Sequence, residues 1–238
     1  MIQRPPQRLT RAFHSVIKPI GSRCNIDCTY CYYLHKEGLL HDTKASPIAG
    51  DLLEEFIRQY LAGQDTESVN FSWHGGEPTL LGLDFYRKII ELQKKHAGGK
   101  RIDNDIQTNG LLLDDAWCEF LKEHDFLVGL SIDGPKHLHD RFRVRRGGGS
   151  TFDQVYAAAR LLQRHEVRFN TMTVVNSGNA RHAAEVYQFL AHDLGSRRLQ
   201  FLPCVEPKDF RTVAPGKWNT DAMPMIGTAG VPRVCRKG

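Results

Sequence analysis

No apolar run in the 238 residues approaches the roughly 18 that a membrane helix needs. The first fifteen residues, Met1 to Ser15, contain no apolar stretch of the kind a secretory signal carries. These absences predict a cytoplasmic protein with no membrane partner. Internal repeats and low-complexity tracts are also missing. Hydrophobic residues at 41% and charged residues at 25% exclude a disordered, collagen-like or coiled-coil chain. There is no polybasic tail, because the net charge of +5 is spread along the sequence. The one dense basic patch places Arg141, Arg143, Arg145 and Arg146 ahead of three glycines. Four arginines so close together can grip phosphates. A solvated loop rim, or one arginine used on an anionic ligand, fits the composition better, so no nucleic-acid partner is expected.

A disulfide framework is excluded on similar grounds. The chain has six cysteines but no secretory context, and Cys118, Cys204 and Cys235 are scattered. The other three, Cys24, Cys28 and Cys31, fall within eight residues. Such a cluster in a reducing compartment suggests a metal before it suggests a disulfide.

What the sequence does contain is alternation of strand and helix patterns. Short segments rich in apolar and β-branched residues predict strands over Ser15–Ile20, Val69–Trp73, Asp105–Thr108, Leu127–Ile132, Phe169–Val175 and Arg198–Leu202. Apolar stripes at i, i+3, i+4 and i+7 predict helices over Leu52–Leu61, Phe85–Leu92, Ala116–Leu121, Phe152–Leu162 and Ala183–Leu190. Asp84, Asp114 and Thr151 stand where amino-terminal caps belong. The pattern implies an α/β fold with parallel strands joined by right-handed crossovers. Unusual residues follow four consecutive strands: the cysteine loop, Gly75-Gly76-Glu77-Pro78, Gln107-Thr108-Asn109-Gly110 and Ser131-Ile132-Asp133-Gly134. In a barrel all these strand ends open onto one face, whereas an open sheet concentrates its ligands at a switch point. A partial barrel is therefore expected.

The spacing C-x3-C-x2-C over Cys24–Cys31 allows three thiolates to wrap one face of a soft-metal centre. A cubane iron–sulfur cluster so held keeps one iron without a protein ligand. A zinc site completed by His35 is the competing reading, and three packed thiols a third. At these residues the chain resembles the radical SAM superfamily. The segments Lys18-Pro19, CNIDCTYCYY, FSWHGGEPTLLGLDFYRK, IQTNGLLLDDAWCEFLKEHDFLVGLSIDGPKHLHDRFR and LQFLPCVE narrow the likeness to anaerobic sulfatase-maturating enzymes, over about Phe13 to Glu206.

That resemblance implies a partial (β/α)6 barrel over residues 1–207. It implies an irregular, Pro/Gly-rich tail over 208–238, opening a C-terminal cluster-binding domain that is not in this sequence and that holds the family's proposed base. Cys24, Cys28 and Cys31 would hold a [4Fe-4S] cluster whose open iron chelates S-adenosyl-L-methionine. Gly75, Gly76 and Glu77 would meet the methionine ammonium, through close backbone approach and either loop orientation or direct acceptance by Glu77. Ser131 and Arg143 would clamp its carboxylate. Tyr30, Tyr33 and Val205 would flank the cofactor, and Gln107 and Asn109 would hydrogen-bond cofactor or substrate, or close a turn. His74 departs from the glutamine usual before Gly75. His137 and His139 read as loop surface residues. The implied reaction oxidises a cysteine or serine of a sulfatase polypeptide to Cα-formylglycine. The implied electron donor is a reduced flavodoxin or ferredoxin.

Overall fold

A computed structural model describes residues 13–31, 33, 48 and 50–204. Val205, His35 and the 208–238 tail lie outside the described residues. Six strands alternate with helices: β1 (Ser15–Ile17), α1 (Gly50–Ala62), β2 (Ser68–Trp73), α2 (Gly82–His96), β3 (Arg101–Thr108), α3 (Asp115–Glu123), β4 (Leu127–Ser131), α4 (Lys136–His139), α5 (Phe152–Arg164), β5 (Phe169–Val175), α6 (Ala183–Gln188) and β6 (Leu199–Pro203).

All five strand pairings are parallel and the spatial order is the chain order, β1 to β6. A doubly wound sheet reverses its strand order at a switch point, and this sheet never does. Right-handed crossovers in one direction place every helix on the same face, so the sheet curls into a half-barrel. Among the described residues β6 does not pair with β1. The expected architecture is therefore present. Among those residues, too, no helix is long and apolar enough to cross a membrane.

The core lies between the sheet's convex face and the helices. Val69, Phe71 and Trp73 of β2, Ile106 of β3 and Leu130 of β4 are buried there against Ile57, Tyr86, Ile89, Leu121 and Leu162. Burying each such side chain contributes on the order of 1.5–3 kcal/mol. One polar knot sits in this layer, where Asn104 accepts from Trp73 Nε1 at 2.9 Å and exchanges hydrogen bonds with Gln93. The opposite, concave face carries the alternate residues. Asn70 and Ser72 both donate to Asp105 Oδ2, and Ser72 also meets His14 Nε2 at 2.9 Å.

Several element boundaries depart from the sequence reading, each for a local reason. β1 stops at Ile17 because Pro19 lacks an N–H and a turn closes from Gly21 N to Lys18 O. β3 begins at Arg101, four residues early, since its charged residues point away from the helices. A 3₁₀ turn over Pro78–Leu81 precedes α2, and Glu77 caps it, so Asp84 lies inside the helix instead of capping it. Asp114 does cap α3, accepting from Trp117 N at 2.8 Å. Thr151 sits at the start of α5 without capping it; Asp140 accepts from the Thr151 and Phe152 amides instead. α6 ends at Gln188 in a π-helical turn, Phe189–Asp193. The short α4 was read as loop, and its His139, expected at the surface, is fully buried.

Candidate functional site

The cysteine loop hangs between two neighbouring strand ends. On one side, Gly76 N donates to Gly21 O and Glu77 N to Arg23 O, both at 2.9 Å, continuing the β1–β2 ladder past the last paired residues. On the other side, Asp27 N donates to Val144 O at 2.9 Å and Thr29 N to Phe142 O at 2.8 Å. Cys31 N closes a turn onto Cys28 O at 2.8 Å. The loop after β2 and the loop after β4 thus fix the backbone that carries all three thiols. Gly75 needs its glycine, with φ of 123°, and a Cβ on Gly76 would stand 2.0 Å from Arg23 O. The close approach these glycines permit is to the protein's own backbone.

Glu77 is the clasp beneath this loop. It is 1% exposed and accepts from Thr79 N and Oγ1, Thr108 Oγ1 and Asn109 N. Burial raises its pKa, and those hydrogen bonds act in the opposite direction. Both carboxylate oxygens are occupied by the protein, so Glu77 orients the loop. Asn109 is committed in the same way. Its amide donates to Asn25 Oδ1 at 2.7 Å and lies 3.8 Å from Cys24 Sγ, while its oxygen accepts from Leu111 N.

Arg143 sits on the far side of the cysteines, 7% exposed, with Nη1 4.0 Å from Cys28 Sγ. Its Nε stands 3.0 Å from Asp133 Oδ2. The two form a buried ion pair in which the Nε–H is poorly aligned on that oxygen. Burial, the largest single influence, disfavours the cation, but Asp133, Tyr30 and Cys28 together outweigh it and Arg143 stays charged. Asp133 also accepts from Tyr30 Oη at 2.5 Å and from Val174 N at 2.9 Å. Burial, ahead of every other influence, holds the Tyr30 hydroxyl protonated. The remaining arginines of the basic patch are dispersed. Arg145 bonds Ser150 O and Gln154, Arg141 reaches Gly178 O, and Arg146 faces Asp27.

His139 braces this group from below. Thr151 Oγ1 donates to Arg143 O at 2.6 Å and so accepts from His139 Nε2 at 3.0 Å. His139 Nδ1 in turn accepts from Asp133 N at 3.3 Å. This is one neutral tautomer with both nitrogens used. Burial and then the Arg143 charge push its pKa down to about 3. A free histidine protonates near 6.5, so acid favours the unfolded chain. Stability is expected to fall as the pH drops below about 6.5, with about 2 kcal/mol of that loss due to His139 by pH 5. Urea melts at pH 7 and pH 5 on the wild type and on His139→Gln test this. The variant should lose correspondingly less between the two pH values, and equal losses would contradict the assignment.

The three thiols suit a centre larger than one ion. Burial pushes Cys24 up to about 11 and Cys28 up to about 12, so these two are neutral thiols in the bare loop. A single zinc draws its sulfurs to about 3.8 Å from one another. Among the described residues the three sulfurs do not form a trio within 4.8 Å. Ser131, the last residue of β4, is buried. Strand register pairs Gln107 with Gly129, which places Gln107 on the same concave face as Ser131. Lys18 Nζ lies 4.9 Å from the Tyr33 ring centroid. His74 stands 3.9 Å from Asp105 Oδ1, and burial lowers its pKa against that carboxylate.

The structure therefore brings Cys24, Cys28, Cys31, Tyr30, Gly76, Glu77, Asn109 and Arg143 together. Sequence reasoning placed Asp133 at a strand end without a role, and gave His139 and Asn25 no part in the site. The signals available were an acidic residue at a strand end and a histidine pair read as surface.

A half-barrel with three cysteines after β1 and a buried arginine after β4 defines a class. A family model described as the Radical SAM superfamily matches residues 19–190, and the chain belongs to that superfamily. Within it, the chain is similar to anaerobic sulfatase-maturating enzymes. It is 44% identical over 196 residues to the serine-type enzyme of Bacteroides thetaiotaomicron, covering 82% of this chain and 47% of that protein. It is 42% identical over 194 residues to the cysteine-type enzyme of Clostridium perfringens, covering 81% and 52%. A solved structure of native anSMEcpe with bound AdoMet and Cp18Cys peptide superposes with a TM-score of 0.74 at 40% identity, over 81% of this chain and 51% of that one. The chain spans about half the length of the curated relatives it matches.

Proposed function

We propose that this chain is the catalytic core of an enzyme that oxidises a cysteine or serine of a sulfatase polypeptide to Cα-formylglycine, over a barrel of residues 1–207. Cys24, Cys28 and Cys31 would hold a [4Fe-4S] cluster. What the bound cluster and S-adenosylmethionine supply is one-electron cleavage of a sulfur–carbon bond, giving methionine and a 5′-deoxyadenosyl radical that abstracts hydrogen. A reduced flavodoxin- or ferredoxin-type protein is the proposed electron source.

The observation that carries this reading is a buried arginine beside the cysteines: Arg143 Nη1 is 4.0 Å from Cys28 Sγ, and its Nε–H is poorly aligned on Asp133. A ligand carboxylate would give this buried cation a further hydrogen-bonding partner. Ser131 offers a second donor for the same group. Gln107, on the concave face, is a proposed hydrogen-bonding partner of the cofactor or the substrate. Tyr30 keeps its hydroxyl on Asp133 and presents its ring, with Arg143 Cζ 5.6 Å from the centroid. Tyr33 and Val205 are proposed neighbours of the cofactor. Glu77 and Asn109 hold the cysteine loop.

The test is anaerobic reconstitution with iron and sulfide, then dithionite, S-adenosylmethionine and a sulfatase-derived peptide. The wild type is expected to form 5′-deoxyadenosine, while Cys28→Ala should lose both the brown chromophore and cleavage. No 5′-deoxyadenosine from a fully loaded wild type would leave only a cluster-binding module.

A further inference from the structure

A second group of metal-ligating side chains lies outside the cysteine loop. His137 on α4, His182 in the turn Ala180–His182 and Glu185 on α6 bring one ligand atom each within 4.8 Å of the others. His137 Nε2 is 3.3 Å from Glu185 Oε1, and His182 Nδ1 is 3.1 Å from Glu185 Oε2. Among the described residues this is the one trio of histidine, cysteine or acidic side chains so arranged.

The spacing matches a particular coordination. Tetrahedral zinc, with bonds of about 2.0–2.2 Å, sets neighbouring ligand atoms about 3.3–3.5 Å apart. Both histidine–carboxylate separations, each to a different Glu185 oxygen, fall within a few tenths of an ångström of that edge. Both imidazoles converge on the single Glu185 carboxylate, with ring centroids 6.2 Å apart at 82°. Two imidazoles and one carboxylate are a borderline donor set that suits zinc, with a fourth place for water.

The backbone beneath is already fixed. Gly134, just after β4, packs so closely on α6 that a Cβ there would stand 2.9 Å from Val186 Cγ2. The three side chains are exposed, so closing around a cation requires only side-chain rotation.

We propose that His137, His182 and Glu185 form a Zn2+ site that clips the segment after β4, which carries Asp133 and Arg143, to the segment after β5. This site stands independently of the reaction proposed above.

Zinc and cobalt titrations of the full chain test it, using a Cys24→Ser/Cys28→Ser/Cys31→Ser background so that thiols do not compete. One equivalent of Zn2+ is expected to bind and to slow amide exchange in residues 134–143 and 180–186. Bound Co2+ should show visible bands with no sulfur-to-metal charge transfer. Adding His137→Ala or His182→Ala should weaken Zn2+ binding by tenfold or more, with the far-ultraviolet dichroism unchanged. Should the serine background fail to fold, wild-type chain with iodoacetamide-blocked thiols gives the same readout. Absence of zinc binding in the serine background, or an affinity that neither histidine substitution changes, overturns the proposal.

Discussion

Asp133→Ala is expected to destabilise the chain by about 3–5 kcal/mol, the cost of stripping the partner from a buried charge. The whole fold is worth on the order of 5–15 kcal/mol, so this one side chain decides whether it persists. The reason is that Asp133 is fully buried and serves three elements at once. It faces Arg143, accepts from Tyr30 of the cysteine loop and accepts from Val174 N of β5. Alanine removes every acceptor and leaves the guanidinium, a phenol and a backbone amide unpaired in the interior. Asp133→Asn keeps the shape and part of the hydrogen bonding, so it should cost less while still leaving the cation uncompensated. Arg143→Met placed on top of Asp133→Ala should recover part of the loss, because an apolar side chain of similar length leaves no orphaned charge. Urea denaturation of the metal-free chain measures all three variants. A loss below about 1 kcal/mol for Asp133→Ala, the size of an exposed pair, would show that water reaches this pair.

Gly76→Ala is expected to abolish stable iron binding. The added methyl would sit 2.0 Å from Arg23 O, 2.4 Å from Arg23 C and 2.4 Å from Ser22 O. These are backbone atoms of the cysteine-loop stem, so no side chain can rotate out of the way. The loop has to back off by more than 1 Å, which breaks the Gly76 N–Gly21 O and Glu77 N–Arg23 O bonds. Iron and sulfide per chain after reconstitution provide the readout. Gly82→Ala is the control, since a Cβ at Gly82 meets nothing within 4 Å, although φ of 75° strains it. The control should keep its iron; full loading of Gly76→Ala would refute the loop-packing argument.

Much of this fold was legible because parallel strands buried by helices leave continuous apolar runs such as Leu127–Leu130. The site was legible where chemistry crowds into a short stretch, as in Cys24–Cys31 and Gly75–Glu77. It was illegible where partners are distant in sequence. Tyr30 and Asp133 are 103 residues apart and meet only because the loops after β1 and β4 face one another. His139 read as surface because one histidine beside His137 gives no periodic signal. Its burial follows from a single turn of helix folded under Arg143. β3 was read short because Asp103 and Asn104 look unlike strand residues. Asn104 is tolerated in the core only by the hydrogen bonds of Trp73 and Gln93. Asn109 carried an evident turn signal, and its turn bond to Leu111 N is there, but its grip on Asn25 required coordinates.

The most direct measurement is electron paramagnetic resonance of the reconstituted, dithionite-reduced wild type, recorded with and without S-adenosylmethionine. A reduced [4Fe-4S] signal that changes when S-adenosylmethionine is added is the expected result, since one iron is left to bind it. A cluster signal indifferent to the cofactor, or a protein that takes up one tetrahedral zinc at Cys24, Cys28 and Cys31 in place of iron, would contradict the central claim.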